Sequence, residues 1–313
     1  MWNKQRWQLV WIAGVLLTVF SCAPQPTPTS VPTFSPTATV NPSPTPPVAT
    51  STPTTNTLDR LLQEGIDLLD AGDEEAAIQK FNEVIAIEPQ NALAYLKRGL
   101  AKSFLNDYEG ALADLNKAIE LRSDDPAAFN ARGNLFAGQE RYEEALSDFD
   151  QAILIDPNYA SSYVNRANVY AETGEFEKAI ADYNKAIELK PDLASAYYNR
   201  GTAYALLERF DKALEDYKKY LELAPNDPYG YYRIAATYAE LDDLDTALFQ
   251  VNKAIELLPD EPQFYFLRGL IYSQKRLIEN AIADLQKVIE LSEDADLDAE
   301  AQDWIQFLQS NPQ

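Results

Sequence analysis

The residue types that most often perform enzymatic or metal chemistry are almost missing from this chain. It has 313 residues, no histidine and one cysteine, Cys22. A single cysteine cannot form a disulfide within the chain. Zinc sites and nucleophile–histidine pairs need residues that this sequence lacks. The chemistry left is that of the Cys22 thiol and of the carboxylates.

Carboxylates are abundant, but their spacing does not indicate a site. Asp and Glu number 49 against 26 Lys and Arg, and the formal net charge is −23, which repels phosphate backbones. We therefore expect no nucleic-acid partner. The run SEDADLDAE at residues 292–300 lacks the glycine and the alternating spacing of a calcium loop, and it suits the start of a helix. We expect no metal, no cofactor and no catalytic residues.

The N-terminus has the layout of an export signal. Lys4 and Arg6 precede an apolar run from Leu9 to Phe20, which predicts a signal peptide over residues 1–21. The run is too short to cross a bilayer core of about 30 Å, since that requires about 20 helical residues. A permanent transmembrane helix is the weaker interpretation.

The end of this segment, Val19-Phe20-Ser21-Cys22, resembles the lipobox of bacterial lipoproteins, although Phe20 is larger than the residue usual in that family. The resemblance implies lipidation of Cys22 and attachment to the extracytoplasmic face of a bacterial membrane, because two or more acyl chains form a stable anchor. An ordinary secretory signal, with a secreted product, is the alternative.

Residues 22–57 have a composition that does not support a folded core. Of residues 23–57, 10 are Pro, 11 are Thr and 4 are Ser, and none is charged. We predict a disordered and partly extended linker that holds the following residues away from the membrane. Glycosylation of its hydroxyl side chains and binding of a proline-recognition module are open alternatives.

A repeat of 34 residues follows the linker. Its seven copies cover residues 58–91, 92–125, 126–159, 160–193, 194–227, 228–261 and 262–295. A small residue recurs at Gly65, Gly99, Gly133, Ala167, Gly201, Ala235 and Gly269, and an alanine recurs at Ala77, Ala111, Ala145, Ala179, Ala213, Ala247 and Ala281. Small side chains let two helices approach closely, so each copy is predicted to form a helical hairpin that must stack on its neighbours.

Most copies end at a proline, which stops the second helix: Pro89, Pro157, Pro191, Pro225 and Pro259. Over residues 58–295 this pattern resembles the tetratricopeptide repeat family, with departures at Ser123 and Glu293 in place of proline and at Val251 in place of an aromatic residue. The resemblance implies an all-α fold, a right-handed superhelical solenoid of seven hairpins. Residues 296–313 are predicted to form a capping helix, since their apolar residues share one helical face.

In this family the first helices line a groove that binds ligands. Carried onto this chain, the resemblance predicts a peptide-binding groove at Asn130, Asn134, Asn168, Tyr198, Tyr229, Tyr232, Phe266 and Leu270. Its amide part would hydrogen-bond an extended peptide, and its aromatic part would hold an apolar side chain. Packing of these side chains against neighbouring repeats is the alternative. No basic residue occupies the ninth positions of the repeats, so a basic clamp for terminal carboxylates is not supported.

A second recurring set is basic: Arg98, Arg132, Arg166, Arg200 and Arg268. This set could be read as an anion-binding ladder. Its regular spacing favours a structural role, in which each guanidinium pairs with a nearby carboxylate and its stem covers apolar surface.

The sequence thus predicts a non-catalytic, lipid-anchored scaffold that binds a protein or peptide. Open alternatives are a receptor for a small molecule or glycan, and a non-catalytic subunit of an envelope enzyme complex.

Overall fold

The computed structural model describes residues 53–311, which form fifteen α-helices and no strand. The helices are α1 Pro53–Asp70, α2 Glu74–Ile87, α3 Ala92–Phe104, α4 Tyr108–Leu121, α5 Pro126–Ala137, α6 Tyr142–Ile155, α7 Ala160–Glu172, α8 Phe176–Leu189, α9 Ala194–Leu206, α10 Phe210–Leu223, α11 Pro228–Glu240, α12 Leu244–Leu257, α13 Pro262–Gln274, α14 Ile278–Leu291 and α15 Ala295–Ser310. The all-α prediction is confirmed. Odd-numbered helices up to α13 are the first helices of the hairpins, and even-numbered helices are the second.

The structure differs from the sequence prediction at the start of the repeats. Helix α1 begins at Pro53, inside the predicted linker, rather than at Leu58. Proline is well tolerated in the first turn of a helix, where its missing N–H has no intrahelical partner. The predicted signal peptide, Cys22 and the rest of the linker lie outside the described residues.

The described residues divide into two compact units, residues 53–169 and residues 170–311. We call them the N-terminal and the C-terminal unit. The boundary falls within α7.

Side-chain caps explain why many helices start where they do. Asp73, Asn91, Asp107 and Asp243 each accept a hydrogen bond from a backbone N–H of the first helical turn, which satisfies a donor without an intrahelical partner. Asp294 does the same for α15, so the acidic run at residues 292–300 is a helix start, as predicted. Besides α1, three first helices begin with proline, namely α5, α11 and α13.

The turn inside each hairpin contains one residue with a positive φ, always at the same position of the repeat: Gly72, Asn106, Glu140, Gly174, Glu208, Asp242 and Arg276. Glycine adopts this conformation without a steric penalty, whereas residues with a Cβ are disfavoured there. Five of the seven turns therefore hold a residue in a strained conformation.

Replacement of Glu140 by glycine is expected to raise the free energy of unfolding by about 0.5–1 kcal/mol, because it relieves this strain. Urea unfolding of the purified protein measures the change. Gly72→Ala is the matched control. Gly72 has a φ of 78° and no heavy atom within 4 Å of an added Cβ, so the variant tests backbone strain alone and should lose stability. If both variants are as stable as wild type, the turns with a non-glycine residue at positive φ are not strained.

The core of the N-terminal unit passes from one hairpin to the next. Leu96 of α3, Leu115 of α4 and Leu135 of α5 belong to one buried cluster. Phe149 of α6 packs with Phe136 of α5 in a second cluster. A Cβ built at Gly133 would lie 2.6 Å from the Phe149 ring, which confirms that the small residues allow close helix contact. No hairpin buries its apolar side chains alone.

The core of the C-terminal unit ends at the predicted cap. Ala301, Ile305 and Leu308 of α15 share one buried cluster with Leu285 and Val288 of α14. Trp304 lies at the margin of this cluster, with its ring centroid 5.8 Å from that of Phe307. Helix α15 therefore covers apolar surface that the last hairpin would otherwise expose to water.

Candidate ligand-binding face of the first helices

The fifth and ninth residues of each first helix project from the same side, because they are about one helical turn apart. We call this side the first-helix face. Within the N-terminal unit α1 contacts α3, and α3 contacts α5. Within the C-terminal unit α9 contacts α11, and α11 contacts α13. Each unit therefore presents this face as a continuous surface.

The predicted amide residues lie in the N-terminal unit, and they differ in accessibility. Asn134 is exposed and Asn168 is half-buried. Asn130 is buried, and its Oδ1 accepts hydrogen bonds from Ser162 Oγ and Asn165 Nδ2, both at 3.0 Å. Because these internal bonds already use the Asn130 oxygen, Asn130 links α5 to α7 rather than facing a ligand.

The half-buried members of the predicted aromatic set lie in the C-terminal unit. The Tyr198 ring centroid lies 5.0 Å from that of Tyr220 and 6.0 Å from that of Tyr217, in edge contacts. The Tyr229 ring lies edge-on to Phe264 at 5.5 Å, and its hydroxyl donates to Glu261 at 2.9 Å. The rings of Tyr198 and Tyr229 are thus partly accessible and are held by edge contacts with neighbouring aromatic rings.

Three other predicted groove residues are core residues in the structure. Tyr232, Phe266 and Leu270 have exposed fractions of 3%, 5% and 1%, and all belong to the cluster that α15 completes. Burial of such large apolar side chains stabilises the fold by about 1.5–3 kcal/mol each. The prediction that these three side chains contact a ligand is therefore wrong. They pack against neighbouring repeats, which is the alternative that the sequence left open.

The arginine ladder has the structural role that its spacing predicted. Arg132 on α5 donates from Nε and Nη2 to both carboxylate oxygens of Asp148 on α6, at 2.8 and 2.7 Å, and from Nη1 to Asn116 of the preceding hairpin at 2.6 Å. Arg98, Arg200 and Arg268 make the same three bonds. Each of these guanidiniums joins the two helices of its hairpin to the hairpin before it.

The sixth repeat departs from this ladder. Its seventh position, where the other repeats mostly hold arginine, is Ile234, and the position that elsewhere carries the aspartate is Gln250. The arginine is displaced by one residue, to Arg233, which is buried with an exposed fraction of 2%. The sequence analysis missed this residue. The signal that could have revealed it is the shift of arginine from the seventh to the sixth position in one copy only.

Burial alters the titration of two groups on or behind this face. Burial raises the pKa of Tyr217 to about 12, so its hydroxyl is a neutral phenol at neutral pH. Burial first, and the negative charge of Glu208 second, raise the pKa of Glu240 to about 7. The Glu240 carboxyl is consequently only partly ionised at neutral pH.

Neither a membrane-spanning helix nor a group of metal ligands is found in residues 53–311. No helix in this range is long and apolar enough to cross a membrane. The same range contains no group of three or more side chains that could hold a metal ion.

Comparison with known families agrees with this architecture. A TPR repeat model matches residues 105–140, 133–174 and 167–208, and tetratricopeptide repeat models match residues 194–227, 216–249 and 262–294. Together these matches cover more than half of the sequence. The chain belongs to the tetratricopeptide repeat family. Proteins of this family are generally non-catalytic scaffolds, and their fold is typical of protein or peptide interaction.

Solved tetratricopeptide repeat structures are similar to this chain. A protein from Parabacteroides merdae superposes with a TM-score of 0.59 at 18% identity, and covers 79% of this chain and 97% of its own. Pseudomonas aeruginosa pilF superposes with a TM-score of 0.61 at 18% identity, and the match covers 67% of this chain and 96% of pilF. YrrB, described as a TPR protein with an unusual peptide-binding site, superposes with a TM-score of 0.50 at 27% identity. The match covers 60% of this chain and 97% of YrrB. No curated protein sequence matches the chain.

Proposed function

We propose that this tetratricopeptide repeat protein is a non-catalytic scaffold, anchored by lipid on Cys22 to the outer side of a bacterial membrane, that binds a peptide or protein on the first-helix face. The observation that carries the proposal is the structure of this face. Within each unit the first helices touch one another and present partly accessible amide or aromatic side chains: Asn134, Asn168, Tyr198 and Tyr229.

Two further points support a peptide ligand. YrrB, at 27% identity over 60% of this chain, is a repeat protein with a peptide-binding site. Amide side chains can also donate to and accept from an extended backbone, and half-buried tyrosines bind apolar side chains with little loss of conformational entropy.

The anchor is tested first. In a bacterial host, wild type should gain acyl mass and sediment with membranes, whereas Cys22→Ser should do neither, because only a thiol can form the thioether. Intact mass spectrometry and membrane fractionation measure both properties. If neither form carries lipid and neither sediments with membranes, the anchor proposal is wrong and a secreted product is the interpretation that remains.

The binding face is tested next, with envelope extract as the source of partners and the lipidated protein as bait. Asn134→Arg on α5 should reduce capture by about tenfold or more, since a long charged side chain blocks the face. Leu154→Arg is the matched control, because Leu154 is 73% exposed on α6 of the same hairpin but lies off the first-helix face. Equal capture by the two variants would contradict the proposed face.

A further inference from the structure

The turn between α3 and α4 carries a concentrated apolar surface. Within residues 53–311, nine large apolar side chains are exposed, and three of them fall within five consecutive residues. They are Phe104, Leu105 and Tyr108, with exposed fractions of 58%, 38% and 42%. Apolar side chains scattered singly are ordinary on a protein surface, whereas several together mark a contact site. We call these three side chains the turn patch.

The turn patch belongs to the second hairpin and is not continued by its neighbours. The equivalent positions are Asp70, Ala71 and Glu74 in the first hairpin, and Gly138, Gln139 and Tyr142 in the third. Both neighbouring turns therefore form without a large apolar residue at the positions of Phe104 and Leu105. These two side chains are not needed to close the turn, so their exposure requires another explanation.

Hydrogen bonds hold the turn patch in one conformation. The backbone N–H of Asn106 donates to the Ser103 carbonyl at 3.1 Å, and that of Asp107 donates to the Lys102 carbonyl at 2.9 Å. The Tyr108 hydroxyl donates to Asn106 Oδ1 at 2.6 Å. A contact surface that is already ordered loses little conformational entropy when it binds, so even a small patch can hold a partner.

The turn patch lies in the middle of one edge of the N-terminal unit. The residue with positive φ has the same repeat position in Gly72, Asn106 and Glu140, and α3 contacts both α1 and α5. The turns of the first three hairpins are therefore neighbours along this edge. Packed helices lie about 8–10 Å apart, so a Lys or Arg side chain of a ligand seated on the turn patch can reach either neighbouring turn.

This edge is strongly acidic. Nine acidic residues and a single basic one, Arg141, lie in the three turn segments, which are residues 70–75, 104–109 and 138–144. Arg141 Nε donates to Glu144 at 2.6 Å. The nearby Lys102 pairs with Asp114 at 2.8 Å. Both cations are therefore already paired, and the turn patch is surrounded by an excess of negative charge. We call the three turn segments the acidic edge.

The acidic edge decides which occupant fits the turn patch. Exposed carboxylates that form no ion pair among the described residues are present in each turn: Glu75, Glu109 and Glu143. They are complementary to Lys or Arg side chains on either side of an apolar residue. The same charge opposes two other occupants. It repels an anionic lipid surface, and a second copy docked by two-fold symmetry would bring one acidic edge against another.

We propose that the turn patch and the acidic edge form a docking surface for a basic segment of a partner protein. One or two apolar side chains of this segment contact Phe104, Leu105 and Tyr108, and its flanking Lys or Arg side chains pair with the carboxylates of the adjacent turns. The surface spans the end of α3 and the start of α4. The inference goes beyond the proposed function and does not depend on the residues of the first-helix face named there.

The first test measures binding of a peptide with this chemistry. Fluorophore-labelled N-acetyl-Lys-Lys-Leu-Phe-Lys-Lys-amide should bind the purified protein in fluorescence anisotropy titrations. Its affinity should fall about fivefold or more between 50 and 300 mM salt, because salt screens exposed charges. The acidic counterpart, with Glu in place of each Lys, should not bind. Equal binding of the two peptides would overturn the inference.

The apolar contact is tested by substitution. Phe104→Ser should weaken binding of the basic peptide about tenfold, because it removes the most exposed ring of the turn patch, and Phe104→Leu should retain most of the affinity. Leu154→Ser is the matched control, since Leu154 is 73% exposed in the same unit but lies near the other end of α6. Thermal midpoints should stay within about two degrees of wild type, because both side chains are exposed. If Leu154→Ser weakens binding as much as Phe104→Ser, the inference is wrong.

The contribution of charge is tested with one substitution in each turn, combined in a single variant: Glu75→Gln, Glu109→Gln and Glu143→Gln. This variant should bind the basic peptide about fivefold more weakly than wild type. The control removes three exposed glutamates from second helices of the C-terminal unit: Glu188→Gln, Glu222→Gln and Glu256→Gln. It should change the affinity less than about twofold, because those charges are more than a Debye length away. Equal losses would mean that net charge alone attracts the peptide, which contradicts the proposed surface.

The other occupants are tested with the Cys22→Ser protein, which cannot carry the proposed lipid. It should not sediment with vesicles of phosphatidylcholine and phosphatidylglycerol, and analytical ultracentrifugation should show no dimer that depends on Phe104. Vesicle binding that Phe104→Ser abolishes would identify a membrane contact. Dimerisation that Phe104→Ser abolishes would identify a second copy of this chain. Either result would replace the proposed occupant and overturn the inference, while the scaffold function on the first-helix face would stand.

Discussion

Replacement of Arg200 by methionine is expected to lower the free energy of unfolding of the C-terminal unit by about 2–4 kcal/mol at pH 8. The substitution removes two hydrogen bonds to Asp216 and one to Asn184. It leaves the Asp216 carboxylate, which has an exposed fraction of 3%, buried without its counter-ion. Urea unfolding followed by circular dichroism measures the loss.

The loss should depend on pH. Burial already raises the pKa of Asp216, and the Arg200 charge opposes this rise. Without Arg200 the pKa rises further, so the folded variant takes up a proton more readily than the unfolded chain. A raised folded-state pKa contributes stability at low pH that is lost as pH increases. The difference between variant and wild type should therefore be smaller at pH 4.5 than at pH 8.

Two variants serve as controls for this prediction. Lys219→Met removes an exposed ion pair with Glu222 on α10 and should change stability by less than about 0.5 kcal/mol. Arg200→Met combined with Asp216→Leu should recover much of the loss, because no unpaired buried charge remains. If the single and double variants are equally unstable, the packing of the arginine stem, and not its charge, is what stabilises the hairpin.

Phe264→Ala is expected to lower the free energy of unfolding by about 3–5 kcal/mol, a loss similar to or larger than that of Arg200→Met. Phe264 on α13 is fully buried. Its ring centroid lies 5.5 Å from that of Tyr229 and 5.3 Å from that of Tyr232. Its truncation creates a cavity between α11 and α13, where surrounding aromatic side chains are too rigid to close the space. Urea unfolding at neutral pH gives the change in free energy.

Phe249→Ala is the control for this truncation. Phe249 lies on α12 of the same unit and is 71% exposed, so its loss should change stability by about 0.5 kcal/mol or less. Comparable losses for Phe249 and Phe264 would mean that the interface between α11 and α13 is not the stabilising contact described here.

Much of the fold could be predicted because repeats amplify weak local signals. A single glycine such as Gly133 says little, but a small residue, glycine or alanine, at one position of seven consecutive copies indicates close helix contact. Local sequence rules likewise predict that the second helices end before proline and that residues 296–313 form an amphipathic capping helix. The strained turns were less visible, since only Gly72 and Gly174 carry the residue type that a positive φ favours.

The candidate binding face could be predicted only in part. Asn130 and Asn134 are the same residue type one turn apart, yet one is buried in a hydrogen-bond network and the other is exposed. Likewise, tyrosines at the fifth position of neighbouring repeats, Tyr198 and Tyr232, differ in burial. Their environments depend on which helices pack beside them, and the repeat pattern does not contain that information.

The sequence by itself determined the helical hairpin repeat, the family and the structural role of the arginine ladder, because each depends on residues close together within one copy or at equal positions in adjacent copies. The tertiary structure decided which side chains remain accessible and, within residues 53–311, gave Arg233 no carboxylate partner. Burial and charge compensation are properties of the surroundings in space, and a displacement of arginine by one residue acquires its meaning only when the neighbouring helices are in place.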